Sequence, residues 1–372
     1  MTIKIPLSSP DLGEREVAAV LDVLRSPRLS LGEKLLEFEA AFARYTGSAH
    51  AVAVSSGTAA LHLALLCAGV QPGDEVIVPS FTFIAVANAV RYVGAVPVFV
   101  DIAPHSLNLA PAAVQAAVTS RTRAIVVVHT FGVPADMHPL LEIARGRNLC
   151  VIEDACEALG AEYDGRRLGS LGRVGVFGFY PNKQITTGEG GMLVTNDSEI
   201  AARARSLRNQ GRGASGDWFE HQELGYNYRI SEISCALGLA QLSRIDEFLT
   251  KRATVAEQYR QRLETIADLE LPPVVVPRGK ISWFVYVVRL AQRFRAGGRD
   301  RVAASLAARD IACGRYFAPI HLQPAYRDIP HRCLDLAVTE SLAERALALP
   351  FFNRLTVEQL DEVCAVLTDA LR

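Results

Sequence analysis

Residues 174–195 read VGVFGFYPNKQITTGEGGMLVT. Val174–Phe179 is apolar and β-prone, and Gly191–Thr195 is a second short β-prone run. Between them stand Pro181, Lys183 and the glycine turn Gly188-Glu189-Gly190-Gly191. Two strands about a tight turn hold a loop rigidly, and this loop offers one amine. A partly desolvated lysine has a lowered pKa, and its free amine attacks carbonyls. A solvated loop lysine fits the same letters, so the surrounding chain has to decide.

Working outward, the pattern from residue 49 alternates strand and helix. Strands are expected at Ala51–Val54, Glu75–Val78, Pro97–Val100, Ala124–His129, Cys150–Glu153, Val174–Phe179 and Gly191–Val194. Several are continuous Val/Ile runs, the mark of strands buried on both faces. Helical patterns lie between many of them, at Thr58–Ala68, Ile84–Tyr92, Ala112–Val118 and Met137–Arg147. This predicts an α/β fold with a mainly parallel sheet of about seven strands, whose ligands bind beyond the carboxyl ends of the strands. Two amphipathic helices precede it, at 11–26 and 32–45. After it come helices at 198–208 and 231–263, the second long enough to be broken. Pro272-Pro273 and Pro277 punctuate the chain, followed by a strand (Ser282–Leu290), a helix (Asp300–Arg309), a Pro-rich loop (Pro319–Pro330) and a final helix at Val357–Leu371. The expected division is a large α/β domain with the N-terminal helices, residues 1–245, and a small C-terminal α+β domain, residues 246–372.

The 372 residues are half hydrophobic, with a net charge of −1. Such a balance gives no electrostatic reason to expect nucleic acid or an anionic membrane as a partner. No apolar run approaches a membrane span, and the N-terminus has no signal-peptide core. Seven scattered cysteines without a CxxC pair argue against a disulfide framework or zinc site and for a reducing cytoplasm.

Three further stretches carry chemistry at expected strand ends. Ser55-Ser56-Gly57-Thr58-Ala59-Ala60-Leu61 opens a helix, and such a terminus favours a phosphate; an ordinary N-cap by Ser56 or Thr58 is the alternative. Pro79-Ser80-Phe81-Thr82-Phe83 places aromatics that would stack on a flat ring or belong to the core. Glu153-Asp154 ends a buried strand with the two carboxylates on opposite faces. A buried carboxylate needs a partner, such as a protonated pyridine nitrogen, or else Asp154 is an N-cap. Phosphate anchor, ring stack, carboxylate and lysine are together the set that pyridoxal phosphate requires.

With these residues in view, the chain resembles the DegT/DnrJ/EryC1/StrS sugar aminotransferases, fold-type I pyridoxal-phosphate enzymes. The resemblance covers nearly the whole chain and is anchored at SSGTAAL (55–61), PSFTF (79–83), EDACEALGAEYDGRRLGSLG (153–172), FYPNKQITTGEGG (179–191), LGYNYRISEI (224–233), YFAPIHLQPAY (316–326) and LPFFNRLT (349–356). It implies that Lys183 forms the Schiff base and shuttles the proton, and that Asp154 pairs with the pyridine nitrogen. Phe83 would stack on the ring, and Gly57, Thr58 and Ala59 would hold the phosphate. Glu157 would stand against the ring where relatives have Gln or His, and Asn227 would reach the phosphate of a second subunit in a homodimer with composite sites. Tyr316 and His321 are expected near the substrate, and Arg229 and Arg212 are candidates for anionic groups.

The implied reaction moves an amino group from L-glutamate, through pyridoxamine 5'-phosphate, to a keto carbon of a nucleotide-linked keto-deoxy sugar, at C4 by expectation. Another pyridoxal-phosphate reaction on a sugar or cyclitol, or a non-catalytic sensor with the same fold, are the alternatives. No metal ligand set is expected. One departure stands out: Gly178 occupies the place, five residues before the lysine, where many members carry a phosphate-binding serine. Asn182 or a backbone amide would have to replace it.

Overall fold

The computed structural model describes residues 3–213, 219–295 and 297–372. Its centre is an eight-stranded sheet in the spatial order His50–Val54, Gly191–Thr195, Val174–Gly178, Cys150–Asp154, Thr122–Val128, Glu75–Pro79, Val96–Val100, Arg332–Cys333. Neighbours run parallel, except that Gly191–Thr195 is antiparallel on both sides. Seven of these are the expected strands. The eighth extends the expected sheet of seven: Arg332 and Cys333 pair beside Val98 and Phe99. A two-residue strand has no periodicity to read, so it exists only because the chain returns to a sheet edge.

The Val/Ile runs behave as two-sided strands. Ile77, Ile125, Val127 and Val151 face one core with Phe38, Phe42, Phe177 and Phe179. Val76, Val78, Val126 and Ile152 face the other with Leu61, Leu65 and Leu193. Alternate residues thus enter opposite layers, and helices cover both faces. The hydrophobic alternation of a half-exposed sheet is absent because no face is exposed.

The long helix expected at 231–263 is two helices, Glu232–Leu242 and Ile245–Leu263. At the break, Arg244 turns toward Glu16, with Nη1–Oε1 at 3.1 Å, and toward Asp11, with Nη2–Oδ1 at 3.5 Å. The second helix takes part in two cores. Ile245 and Phe248 belong with the large sheet. Val255, Tyr259 and Leu263 belong to a separate core with Tyr286, Val288, Leu347, Leu360 and Leu367. That core lies over a three-stranded antiparallel sheet of Leu269–Glu270, Tyr286–Leu290 and Ala346–Leu349. We propose that the division at 245/246 stands, with the helix Ile245–Leu263 carrying the chain across it. A third small sheet joins Gly279–Lys280 to Glu162–Tyr163 and Arg166–Arg167.

Because the parallel strands point one way, their carboxyl ends share one edge of the sheet. Ser55–Gly57, Ser80–Phe83, His129–Gly132, Asp154–Glu157 and Gly178–Lys183 all follow strands there. Gly191 begins its antiparallel strand at the same edge, paired with both Val54 and Gly178.

Candidate active site

Ser56 caps the helix Gly57–Cys67: its Oγ accepts the Ala59 amide at 3.0 Å. The N-cap reading of this stretch is seen directly. The cap takes the Ala59 N–H, which removes the Ala59 amide from the expected phosphate-holding set. The amides of Gly57 and Thr58, which have no intrahelical acceptor, remain at the positive end of the helix.

Glycine is required around this terminus by close approach. A Cβ on Gly191 would stand 2.4 Å from the Ser56 carbonyl, and one on Gly57 would stand 3.0 Å from Cys156 Sγ. A Cβ on Gly178 would lie 3.3 Å from the same sulfur and 3.7 Å from the Gly57 Cα. Cys156 thus fills the corner that a residue-178 side chain would need. Asn182, the side chain that could replace the missing serine, keeps its Oδ1 buried without a partner among the described residues.

The two adjacent carboxylates separate as expected. Glu153 is fully buried. It accepts the amides of Gly169, Leu171 and Gly172 at 2.9, 2.7 and 2.6 Å, and meets His129 Nε2 at 3.1 Å. His129 Nδ1 accepts the Ala135 amide, so Nε2 carries the hydrogen that points to Glu153. Burial pulls the Glu153 pKa up, but His129 and the loop amides outweigh it, and the net shift is downward. Asp154, on the opposite side of the strand, accepts the Cys156 amide at 3.0 Å. Burial together with Asp154 pushes the neighbouring Cys156 thiol well up.

Lys183 is partly buried, its side chain 15 % exposed. Its Nζ lies 4.0 Å from the centroid of the Phe284 ring and 3.9 Å from Glu157 Oε1. Its amide donates to Tyr180 O at 2.9 Å, and its carbonyl accepts from Arg252 at 3.1 Å. Glu157 Oε2 accepts the Phe131 amide at 2.8 Å, and burial raises the Glu157 pKa despite the nearby Lys183. Phe131 presents that amide from a left-handed backbone (φ 58°) that a large side chain rarely adopts. Its ring stacks on Phe317 and Tyr316 at 5.3 and 6.3 Å, which brings Tyr316 to the Glu157 side of the cleft. Gln184 donates to the Glu157 carbonyl at 2.7 Å and to Ser282 Oγ at 3.1 Å. This is why the strand expected from Ser282 begins only at Tyr286: residues 282–284 are engaged by the site.

Four expected residues stand further out in the single chain. Phe83 is 61 % exposed at the end of its strand, open to a stacking partner. Asn227 is exposed and bridges to Asn209, and Arg229 donates to Asn209 Oδ1 at 3.0 Å. Residues 214–218 of the 209–229 loop lie outside the described residues. His321 is held by Ser80 Oγ at 2.7 Å on Nδ1 and by Glu340 at 3.2 Å on Nε2, so both ring nitrogens are engaged by protein.

Phe284, Arg252, Phe131, Gln184 and Ser282 were given no role in the sequence reading. Gln184 lies in the stretch 174–195, and the others lie outside any motif with a chemical signature, so only their place around Lys183 and Glu157 marks them. Among the described residues no group of His, Cys, Asp or Glu could hold a metal ion, and no helix is long and apolar enough to cross a membrane.

Two helix amides, an exposed aromatic, a carboxylate and a partly buried lysine at one edge of the sheet fit pyridoxal phosphate, and the fold with this edge defines a fold-type I pyridoxal-phosphate-dependent aminotransferase. The chain belongs to the DegT/DnrJ/EryC1/StrS aminotransferase family, whose model matches residues 10–368. It is 44 % identical over 370 residues to the GDP-perosamine synthase of Caulobacter vibrioides, covering 99 % of this chain and 98 % of that one. Among solved structures, DesV of S. venezuelae in complex with a ketimine intermediate is 38 % identical, with TM-score 0.91 and full coverage of both chains. The Streptococcus pneumoniae protein Spr1654, solved in its PLP form, is 27 % identical with TM-score 0.93, covering 99 % of this chain and 98 % of that one. Pyridoxal phosphate is thus a cofactor of the family.

Proposed function

We propose that this enzyme transfers the amino group of L-glutamate to C4 of a nucleotide-linked 4-keto-6-deoxy hexose. The observation that carries the reading is the 44 % identity, over almost the whole of both chains, to a GDP-perosamine synthase. Bound pyridoxal phosphate supplies the electron sink and carries the amino group between the two half-reactions.

The chain's own residues would divide the work as follows. The Gly57 and Thr58 amides bind the phosphate through the helix terminus. Asp154 keeps a proton on the pyridine nitrogen. Phe83 stacks on the ring. Lys183 would hold the cofactor and, once the incoming amine displaces it, would take a proton from the donor's Cα and, in the second half-reaction, supply one to the sugar carbon. Glu157, its pKa raised by burial and its Oε2 occupied by the Phe131 amide, would turn Oε1 toward the ring. Tyr316 and His321 would shape the sugar side, and Arg229 would meet an anionic group of donor or nucleotide. Asn227, exposed in the single chain, would complete the phosphate site of a second copy in a homodimer.

The test is a panel of nucleotide-linked keto-sugars offered with glutamate, read by 2-oxoglutarate release and by the position of the new amine in the product. The 4-keto-6-deoxy sugars should turn over best. Exclusive turnover of 3-keto sugars, or release of 2-oxoglutarate with no aminated sugar, would refute the proposal.

A further inference from the structure

We propose that Arg252 is a positioning residue for the reaction: its guanidinium fastens the backbone of Lys183 to that of Phe284 and thereby fixes the amine against the Phe284 ring. The proposal rests on the reading of Lys183 as the cofactor lysine.

Arg252 lies in the helix Ile245–Leu263 and is only 3 % exposed. Its Nη2 donates to Lys183 O at 3.1 Å, and its Nη1 donates to Phe284 O at 3.0 Å and to Trp283 O at 3.5 Å. The guanidinium carbon lies 5.6 Å from the centroid of the Phe351 ring. Among the described residues no carboxylate is within ion-pair distance of it. Burial lowers its pKa to about 10, with only a longer-range pull from Asp11 in the other direction, so it remains charged at neutral pH.

A buried guanidinium without a counter-ion is expensive, and an apolar residue of similar volume is often as stable or more so. Stability alone therefore gives little reason for arginine here. What arginine does that no apolar residue can is span two carbonyls with one rigid fork. The two carbonyls belong to the two residues whose side chains meet at the amine. Lys183 is pinned on its other side too, by its N–H to Tyr180 O at 2.9 Å. The peptide that carries the amine is held at both ends, and the ring beneath it is held by the same guanidinium. Such support limits the angular play of a reacting group, where small misplacements lower rates steeply.

The experiment uses the full chain with pyridoxal phosphate, as wild type, Arg252→Met, Arg252→Gln, Arg252→Lys and Lys183→Ala. Four quantities are read: the lysine-linked visible spectrum, the single-turnover rate with glutamate per loaded site, KM for the sugar, and melting of the cofactor-free protein. In Arg252→Met the rate should fall about tenfold or more, with KM for the sugar little changed. Arg252→Gln should lower the rate in the same direction. Arg252→Lys should also leave the rate low, because an ammonium cannot span both carbonyls.

A wild-type rate per loaded site in Arg252→Met would overturn the proposal, whatever its melting temperature. If Arg252→Met does not fold, a wild-type rate per loaded site in Arg252→Gln or Arg252→Lys overturns it equally. A wild-type spectrum in Lys183→Ala would instead refute the reading of Lys183 itself.

Discussion

Replacing Gly178 by serine tests whether Cys156 is the reason this chain lacks a hydroxyl at the phosphate corner. A Cβ at residue 178 would stand 3.3 Å from Cys156 Sγ, tighter than ordinary contact, while the Gly57 Cα at 3.7 Å leaves no room on the other side. The sulfur must move by a few tenths of an ångström in a packed corner, an overpacking of about 1 kcal/mol, at the low end of the range for such insertions. The cofactor-free Gly178→Ser protein should therefore melt about 1–2 °C lower. Cys156→Ala removes the obstacle. In that background the serine should add no further loss, giving a coupling of about 1 kcal/mol between the two sites. The unobstructed hydroxyl should then reach the phosphate. A hydrogen bond to a charged group contributes about 1.5–3 kcal/mol, so the double variant should bind pyridoxal phosphate about tenfold or more tightly than Cys156→Ala alone. Differential scanning fluorimetry and a fluorescence titration of the cofactor-free proteins measure both. Equal penalties for the serine with and without Cys156 would refute the crowding argument. Equal cofactor affinity in Cys156→Ala and the double variant would show that residue 178 does not face the phosphate.

Glu157→Gln keeps an acceptor for the Phe131 amide and removes the titration, so turnover near pH 6 should stay within about threefold of wild type. The raised Glu157 pKa means that its contribution to stability is full below the ordinary carboxylate range and is lost as pH rises through the raised value; melting curves across pH should be flatter in the glutamine variant. Glu153→Ala strands His129 and three loop amides, and should cost about 3–5 kcal/mol, read as a lowered denaturant midpoint. Because the net Glu153 shift is downward, its stabilisation is present above the ordinary value of 4.5 and should fade as pH drops through the lower folded pKa. Mixing inactive Lys183→Ala with inactive Asn227→Ala should recover up to about a quarter of wild-type activity if sites are shared between two random partners; no recovery would refute the composite site.

Much of the fold was legible because both faces of the sheet are covered: continuous Val/Ile runs and intervening helices left one reading of seven strands. The eighth strand was not legible, since Arg332 and Cys333 pair only where the chain happens to return to Val98 and Phe99. The break at Ser243–Arg244 was only half legible, because its cause is a side-chain attraction to Glu16 and Asp11, more than 200 positions away. At the site, Lys183, Asp154, Gly57 and Thr58 stood out as chemically apt residues at strand ends. Arg252 and Phe284 did not, being an arginine in an amphipathic helix and a phenylalanine beside a tryptophan.

By itself, then, the sequence determined the order of strands and helices, the edge at which ligands meet the sheet, and the lysine and aspartate that reach it. These follow from local periodicity and from the rule that parallel strands end together. Only the tertiary structure decided that Ser56 takes the Ala59 amide, that Cys156 closes the corner at Gly178, that burial raises the Glu157 pKa, and that one guanidinium clamps the backbone of Lys183 to that of Phe284. Each of these depends on distances of a few ångströms, several of them between residues far apart in the chain. Hydrogen bonds, desolvation and steric exclusion act over such distances and leave no periodicity behind.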